Sequence, residues 1–254
     1  MLLHWRFKAN TLPTKLISIP IPEIDMITLR PSAERGQGQF GWLQARYSFS
    51  FSSYYDPRHM GHSALRVINQ DTVQGKRGFG QHGHDNMEIL TYVLSGTLSH
   101  RDTLGNSADI QAGEFQLMSA GTGVEHSEVN RGDVPVELLQ IWIQPNRRHL
   151  PPRYAQKQFA RTPGLQLIVA PDGVDPEALA IRQDARVYRG ILATNEALNQ
   201  SLAAGRNAWI QLIAGQLRLN GHTLTAGDGA AISDENRLTI EADGDSEFLY
   251  FDLP

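Results

Sequence analysis

What most limits the fold of this chain is a strand-and-turn text written twice. Glu88-Ile-Leu-Thr-Tyr-Val-Leu-Ser-Gly96 is paralleled by Ala208-Trp-Ile-Gln-Leu-Ile-Ala-Gly215. Ala112-Gly113-Glu114-Phe115-Gln116-Leu117-Met118 is paralleled by Ala226-Gly227-Asp228-Gly229-Ala230-Ala231-Ile232. Recurrence of this kind marks an internal duplication. The repeated runs are β-branched, aromatic or aliphatic and end at glycine turns, which is how short strands read. Similar runs lie at 65–71 and 136–143 in the first half and at 187–192 and 247–253 in the second, with glycine and proline turns and few helical periods between them. Many short strands without helices mean an all-β sandwich or barrel, here built twice.

The first copy carries chemistry that the second lacks. His82-Gly83-His84 precedes the 89–94 strand run. Successive strand residues face opposite ways, so both histidines share one face with Cα atoms roughly 6.5 Å apart and can converge on one ion. His126 and Glu128, in Gly123-Val124-Glu125-His126-Ser127-Glu128, have the same spacing. Three imidazole nitrogens and one carboxylate suit a divalent first-row transition metal. A single His-x-His is common on surface strands; two such pairs flanking a compact β segment form a far more specific signal. In the second copy no His-x-His precedes Trp209, Ser233-Asp234-Glu235-Asn236 stands where the His126–Glu128 pair would be, and His222 lies alone on a turn. That half is expected to be a metal-free companion.

The remaining text narrows the function class. The 254 residues carry a net charge of -4, from 23 basic and 27 acidic side chains, so no basic surface favours nucleic acid. The absence of cysteine excludes disulfides, thiolate ligands and a thiol nucleophile. No run of 18 apolar residues suggests a membrane-spanning helix. Leu16-Ile17-Ser18-Ile19-Pro20-Ile21-Pro22 is too short and too broken by proline for a signal peptide. Residues 1–25 therefore read equally as a mobile leader or as an upstream start assigned in place of Met26, on a cytoplasmic protein, with residues 26–145 as the metal-binding barrel and 164–254 as the metal-free one. Residues 146–163, with Arg147, Arg148, Pro151, Pro152, Arg153 and Lys157, read as a solvated connector.

These motifs resemble those of the cupin superfamily. The first cupin motif corresponds to His82-Gly83-His84 through Glu88 to Gly96, and the second to Gly113 through His126 to Asn130. Ser119 stands where a proline is usual, and extra residues separate Gly121 from His126. These departures, with Phe49-Ser50-Phe51, Tyr54-Tyr55-Asp56-Pro57, Leu65-Arg66-Val67-Ile68-Asn69 and Met118-Ser119-Ala120-Gly121-Thr122-Gly123, make the chain similar to the pirin family from residue 26 to 254, and most similar to bacterial members described as quercetin 2,3-dioxygenases. The resemblance implies a bicupin of two tandem jelly-roll barrels with few short helices. It implies ligands His82, His84, His126 and Glu128 for one divalent transition metal, with iron the family default and manganese, cobalt, nickel, copper or zinc also suited to the set. Glu88 then either supports the ligands from behind or is structural, His100 is structural or exposed, and His59 and His62 are at most entrance residues.

The implied reaction is cleavage of a flavonol by O2 with release of carbon monoxide, Glu128 taking the proton of the 3-hydroxyl. The implied unit is a monomer without nucleic-acid or membrane partners. The alternative within the same resemblance is a metal-dependent regulatory or redox-sensing binding protein with a protein partner.

Overall fold

The computed structural model describes residues 26–254; the leader expected over residues 1–25 lies outside them. Apart from one 3-10 turn at Ser32–Glu34, the described elements are strands. No described helix is long and apolar enough to cross a membrane.

In the first barrel a seven-stranded sheet runs in the order Arg153–Gln158, Glu114–Ser119, Glu88–Ser95, Val136–Ile143, Leu65–Val73, Leu43–Tyr47 and Gly36–Gln39. A four-stranded sheet covers it, in the order Arg77–His84, Val124–Asn130, Thr97–Asp102 and Ser107–Gln111. The second barrel repeats the plan. Its large sheet runs Ile27–Arg30, Gly229–Ile232, Asn207–Ala214, Ser246–Leu253, Arg186–Leu192, Gly164–Pro171 and Leu179–Ile181. Its small sheet runs Ala197–Ser201, Arg237–Ala242, Gln216–Leu219 and His222–Thr225. The expected all-β bicupin is what the chain forms.

The repeated text falls on equivalent turns. Gly96 and Gly215 have φ of 78° and 86°, in the left-handed region that side chains with a Cβ avoid. A Cβ on Gly96 would also lie 2.8 Å from a Val136 methyl, and one on Gly215 would lie 2.3 Å from the Asp245 carbonyl oxygen. The same glycine is thus required at the end of the same strand in both copies.

Two edge strands pair elsewhere than expected. Ile27–Arg30, expected in the first barrel, pairs antiparallel with Gly229–Ile232 of the second, Ile27 opposite Ile232. Arg153–Gln158, expected in a solvated connector, pairs antiparallel with Glu114–Ser119 and closes the edge of the first sheet. Backbone pairing carries this strand: its side chains are half-buried or exposed and follow no two-residue period.

The two large sheets pack face to face over a shared apolar core. Phe49, Leu65, Tyr92 and Phe115 of one meet Ile168, Val187, Trp209 and Phe251 of the other, with the Phe49 and Trp209 rings 4.9 Å apart. The second barrel is filled by aliphatic and aromatic side chains, among them Leu238 and Ile240, both fully buried. These belong to the Arg237–Ala242 strand, the counterpart of Val124–Asn130 in sheet order. The inward places held by His126 and Glu128 in the first barrel are therefore held by leucine and isoleucine in the second; Ser233-Asp234-Glu235-Asn236 precedes that strand rather than replacing the pair. In the first barrel, Leu43, Val73, Val93, Leu98 and Leu138 belong to an apolar cluster, and the strands bearing the candidate ligands border a chamber lined by both aromatic and polar side chains.

Candidate metal centre

Register brings the sequence-predicted pairs together. Val124–Asn130 runs between Arg77–His84 and Thr97–Asp102 in the small sheet, with His126 opposite His82 on one side and Asp102 on the other. A register shift between His126 and Glu128 sets Glu128 opposite Phe79 and His100. Ligand nitrogens of His82, His84 and His126 lie within 4.8 Å of one another. Glu128 falls in a second trio with His126 and His100, at the inner side of the first.

The proton positions follow from the partners. The Nδ1–H of His82 donates to the Gly80 carbonyl at 2.8 Å, leaving its Nε2 lone pair free. His100 Nε2 faces the Asp102 carboxylate at 3.1 Å, so that nitrogen carries a proton and donates it. The Nδ1 of His100 lies 3.4 Å from Nδ1 of His126, and with the Nε2 proton directed at Asp102 the donor of this contact is assigned to His126. His126 is thereby fixed with its Nε2 lone pair pointing the other way, 3.0 Å from Nε2 of His84. Asp102 is itself anchored by the backbone N–H groups of Leu104 and Asn106 and the Asn106 amide. A carboxylate that orients one imidazole through another is the arrangement that fixes tautomers around metal ligands. Sequence reasoning set His100 aside as a lone histidine. Yet His100 and Asp102 have the same two-residue spacing that picked out the other pairs.

Electrostatics favours a cation here. Burial, reinforced by the neighbouring histidines, pushes His84 down to about 4 and His126 down to about 3, so both are neutral bases at neutral pH. Glu128 is only 3% exposed, and burial raises its carboxyl above the ordinary range. Its carboxylate accepts from the Gln140 amide at 3.0 Å, and the Gln140 carbonyl oxygen accepts from Thr91. Among the described residues, no lysine or arginine forms an ion pair or hydrogen bond with it. A buried carboxylate without a cation is costly, and a divalent ion among three neutral imidazoles would compensate it. The 3.0 Å between the His84 and His126 nitrogens equals the separation of two ligands each ~2.1 Å from an ion and about 90° apart around it. The donor set fits a divalent transition metal.

His82, His84 and Glu128 open onto a cavity of about 270 Å3, walled also by Phe51, Phe79 and Trp142. The Trp142 ring stands edge-on to His84 at 5.0 Å. On the wall of the large sheet, Asn69 lies opposite Gln140 and Asp71 follows two residues on. Burial and the nearby Glu128 carboxylate push Asp71 up to about 7, against the pull of Arg35. Glu88 has no place at the cavity; its carboxylate accepts from Ser119 at 2.7 Å and from the Arg182 backbone, tying the barrels together as a structural residue. His62 donates to the Ile232 carbonyl between the barrels. Neither His59 nor His62 lines the cavity.

Residues 29–143 match the family model described as Pirin, and residues 167–253 match the one described as Quercetinase C-terminal cupin domain. Over 230 residues the chain is 48% identical to the quercetin 2,3-dioxygenase of Escherichia coli strain K12, covering 90% of this chain and 99% of that protein. It is 36% identical over 237 residues to the pirin-like protein YhaK of the same strain, covering 90% and 100%. The crystal structure of the bacterial pirin YhhW from Escherichia coli in complex with nickel(II) superposes with a TM-score of 0.87 at 49% identity, covering 90% of this chain and 99% of that one. A quercetin 2,3-dioxygenase from Acinetobacter baumannii shares the fold, with a TM-score of 0.71 at 19% identity, covering 89% and 85%. Matched over its two barrels and over nearly the full length of these relatives, the chain belongs to the pirin family.

Proposed function

We propose that the chain is a metal-dependent dioxygenase that cleaves flavonols such as quercetin with O2. The observation that carries this is a cluster of three imidazole nitrogens beside an aromatic cavity large enough for a small ligand, onto which His82, His84 and the buried Glu128 carboxylate open. The names of the relatives support the substrate class. His82, His84, His126 and Glu128 would hold one divalent ion, iron by family expectation, and the nickel(II) complex of YhhW supports a divalent ion in this fold. Bound there, the ion supplies Lewis acidity toward the 3-hydroxyl oxygen of the flavonol.

The protein's own groups do the rest. Glu128 sits with His126 and His100 rather than with His82 and His84. Its burial raises its affinity for a proton, which fits it to take the one leaving the 3-hydroxyl. Gln140 holds the carboxylate in place. Phe51, Phe79 and Trp142 keep water from the electron-rich ring while O2 adds. Both oxygen atoms enter the ring-opened ester, and one ring carbon leaves with its oxygen as carbon monoxide. The proposed unit is a monomer. Elemental analysis of purified protein, paired with aerobic and anaerobic incubation with quercetin, tests the proposal. The expected result is one metal per chain and quercetin loss only with O2. Metal-loaded protein that leaves quercetin intact in air would overturn it.

A further inference from the structure

The metal-side cavity does not end at its own walls. A second chamber of about 250 Å3 abuts it, and the two share Phe51, Ser52, Asn69, Asp71 and Phe79. The outer chamber adds Phe40, Trp42 and Tyr47, with the Trp42 ring edge-on to Phe79 at 5.1 Å. Phe40 is 51% exposed, so this chamber lies on the solvent side. It contains no candidate metal ligand.

The shared wall carries an unusual polar pair. Asn69 is 2% and Asp71 4% exposed, and the side-chain oxygens Asn69 Oδ1 and Asp71 Oδ1 have no hydrogen-bond partner among the described residues. Buried acceptors normally find donors, and leaving one unmet costs about 1–3 kcal/mol. Both residues lie on Leu65–Val73, two apart, and so face the same side of the sheet. The ladder explains their direction but not their chemistry, since neither contributes to the core or to the donor cluster.

We propose that the outer chamber is a subsite for the pendant aryl ring of the substrate, and that Asn69 and Asp71 at its threshold accept hydrogen bonds from that ring's hydroxyl groups. The aromatic walls take the ring's faces and edges, which is where aromatic side chains gain beyond area burial. The two orphaned oxygens select for hydroxyls, because a site built to accept such protons discriminates against a ring that has none. The ligand class is therefore a flavonol with a hydroxylated aryl ring. This rests on the flavonol reading above.

The test compares quercetin, which carries a catechol ring, with the analogue bearing a bare phenyl in its place. Both are titrated anaerobically into metal-loaded protein, and kcat/KM is then measured in air. The parent should favour quercetin about 10-fold or more. Asp71→Ala should lower affinity and kcat/KM for quercetin about 10-fold while leaving those for the bare-phenyl analogue within a factor of two, and Asp71→Asn, which retains an acceptor, should recover part of the loss. Trp42→Ala should weaken both ligands alike, with metal content unchanged. Equal effects of Asp71→Ala on the two ligands, at unchanged metal content, would overturn the subsite. Because anaerobic binding is read apart from turnover, a parent that distinguishes the two ligands but oxidises neither keeps the subsite and sinks only the reaction; a parent that binds neither sinks both.

Discussion

At the scale of single residues, the centre is a set of proton positions as much as a set of ligands. His126 presents its Nε2 lone pair because its other nitrogen donates to His100, which donates to Asp102. His126→Ala should remove most bound metal. His100→Ala should keep all four ligands, three imidazoles and one carboxylate, but weaken metal affinity about 10- to 100-fold, the usual cost of losing an outer partner; competition with a chromophoric chelator measures both. Unchanged affinity in His100→Ala would show that the chain of donors does not orient His126. Glu128 gives a pH prediction with a definite sign. Its carboxyl is raised by burial, so below that raised value the metal-free site holds a proton there, and taking up a cation must release it. His84 and His126, at about 4 and 3, are already neutral near pH ~6 and have none to give. The parent's affinity should therefore fall more steeply than that of Glu128→Gln as pH drops below neutral. Calorimetry in buffers of different ionisation enthalpy should show fewer protons released by the variant, and equal release would place the proton elsewhere. The two candidate ligand pairs were legible in the sequence because period-two spacing on a strand is itself a geometric statement. Asn69, Asp71 and Gln140 were not, since nothing local distinguishes a polar strand residue that faces a chamber from one that faces solvent.

At the scale of elements, the strands of the repeated text were legible and the edges were not. Glu88–Ser95 and Asn207–Ala214 announce themselves by apolar runs ended by a left-handed glycine. Arg153–Gln158 has no such pattern, because an edge strand of half-exposed side chains is held by its ladder. The destination of Ile27–Arg30 is a long-range pairing, which no local signal encodes. That strand makes a stability prediction. Ile27 is 3% exposed within the second barrel's core cluster. A chain starting at Pro31 loses that burial and four residues of pairing. Relative to a chain starting at Met26 it should lose about 3 kcal/mol, from one buried aliphatic side chain and the lost ladder. Thermal unfolding should then begin roughly 6 °C or more lower. Indistinguishable melting curves would mean that the strand does not support the second barrel.

At the scale of the molecule, duplication has produced two barrels of one plan with opposite interiors. Leu238 and Ile240 fill the second, while in the first His126 joins the histidine cluster and Glu128 lines the chamber beside it. The central claim is that this chamber is catalytic, rather than the core of a metal-dependent binding protein whose flavonol turnover is incidental. The most direct test is oxygen consumption with quercetin across pH, for parent and Glu128→Gln loaded with the same metal. The account predicts that the variant keeps much of its metal but loses about 100-fold or more in kcat and in kcat/KM near neutral pH, the scale of a positioned base. It also predicts that activity partly returns at pH values where the flavonol arrives already deprotonated. Equal rates per bound metal at neutral pH would contradict it.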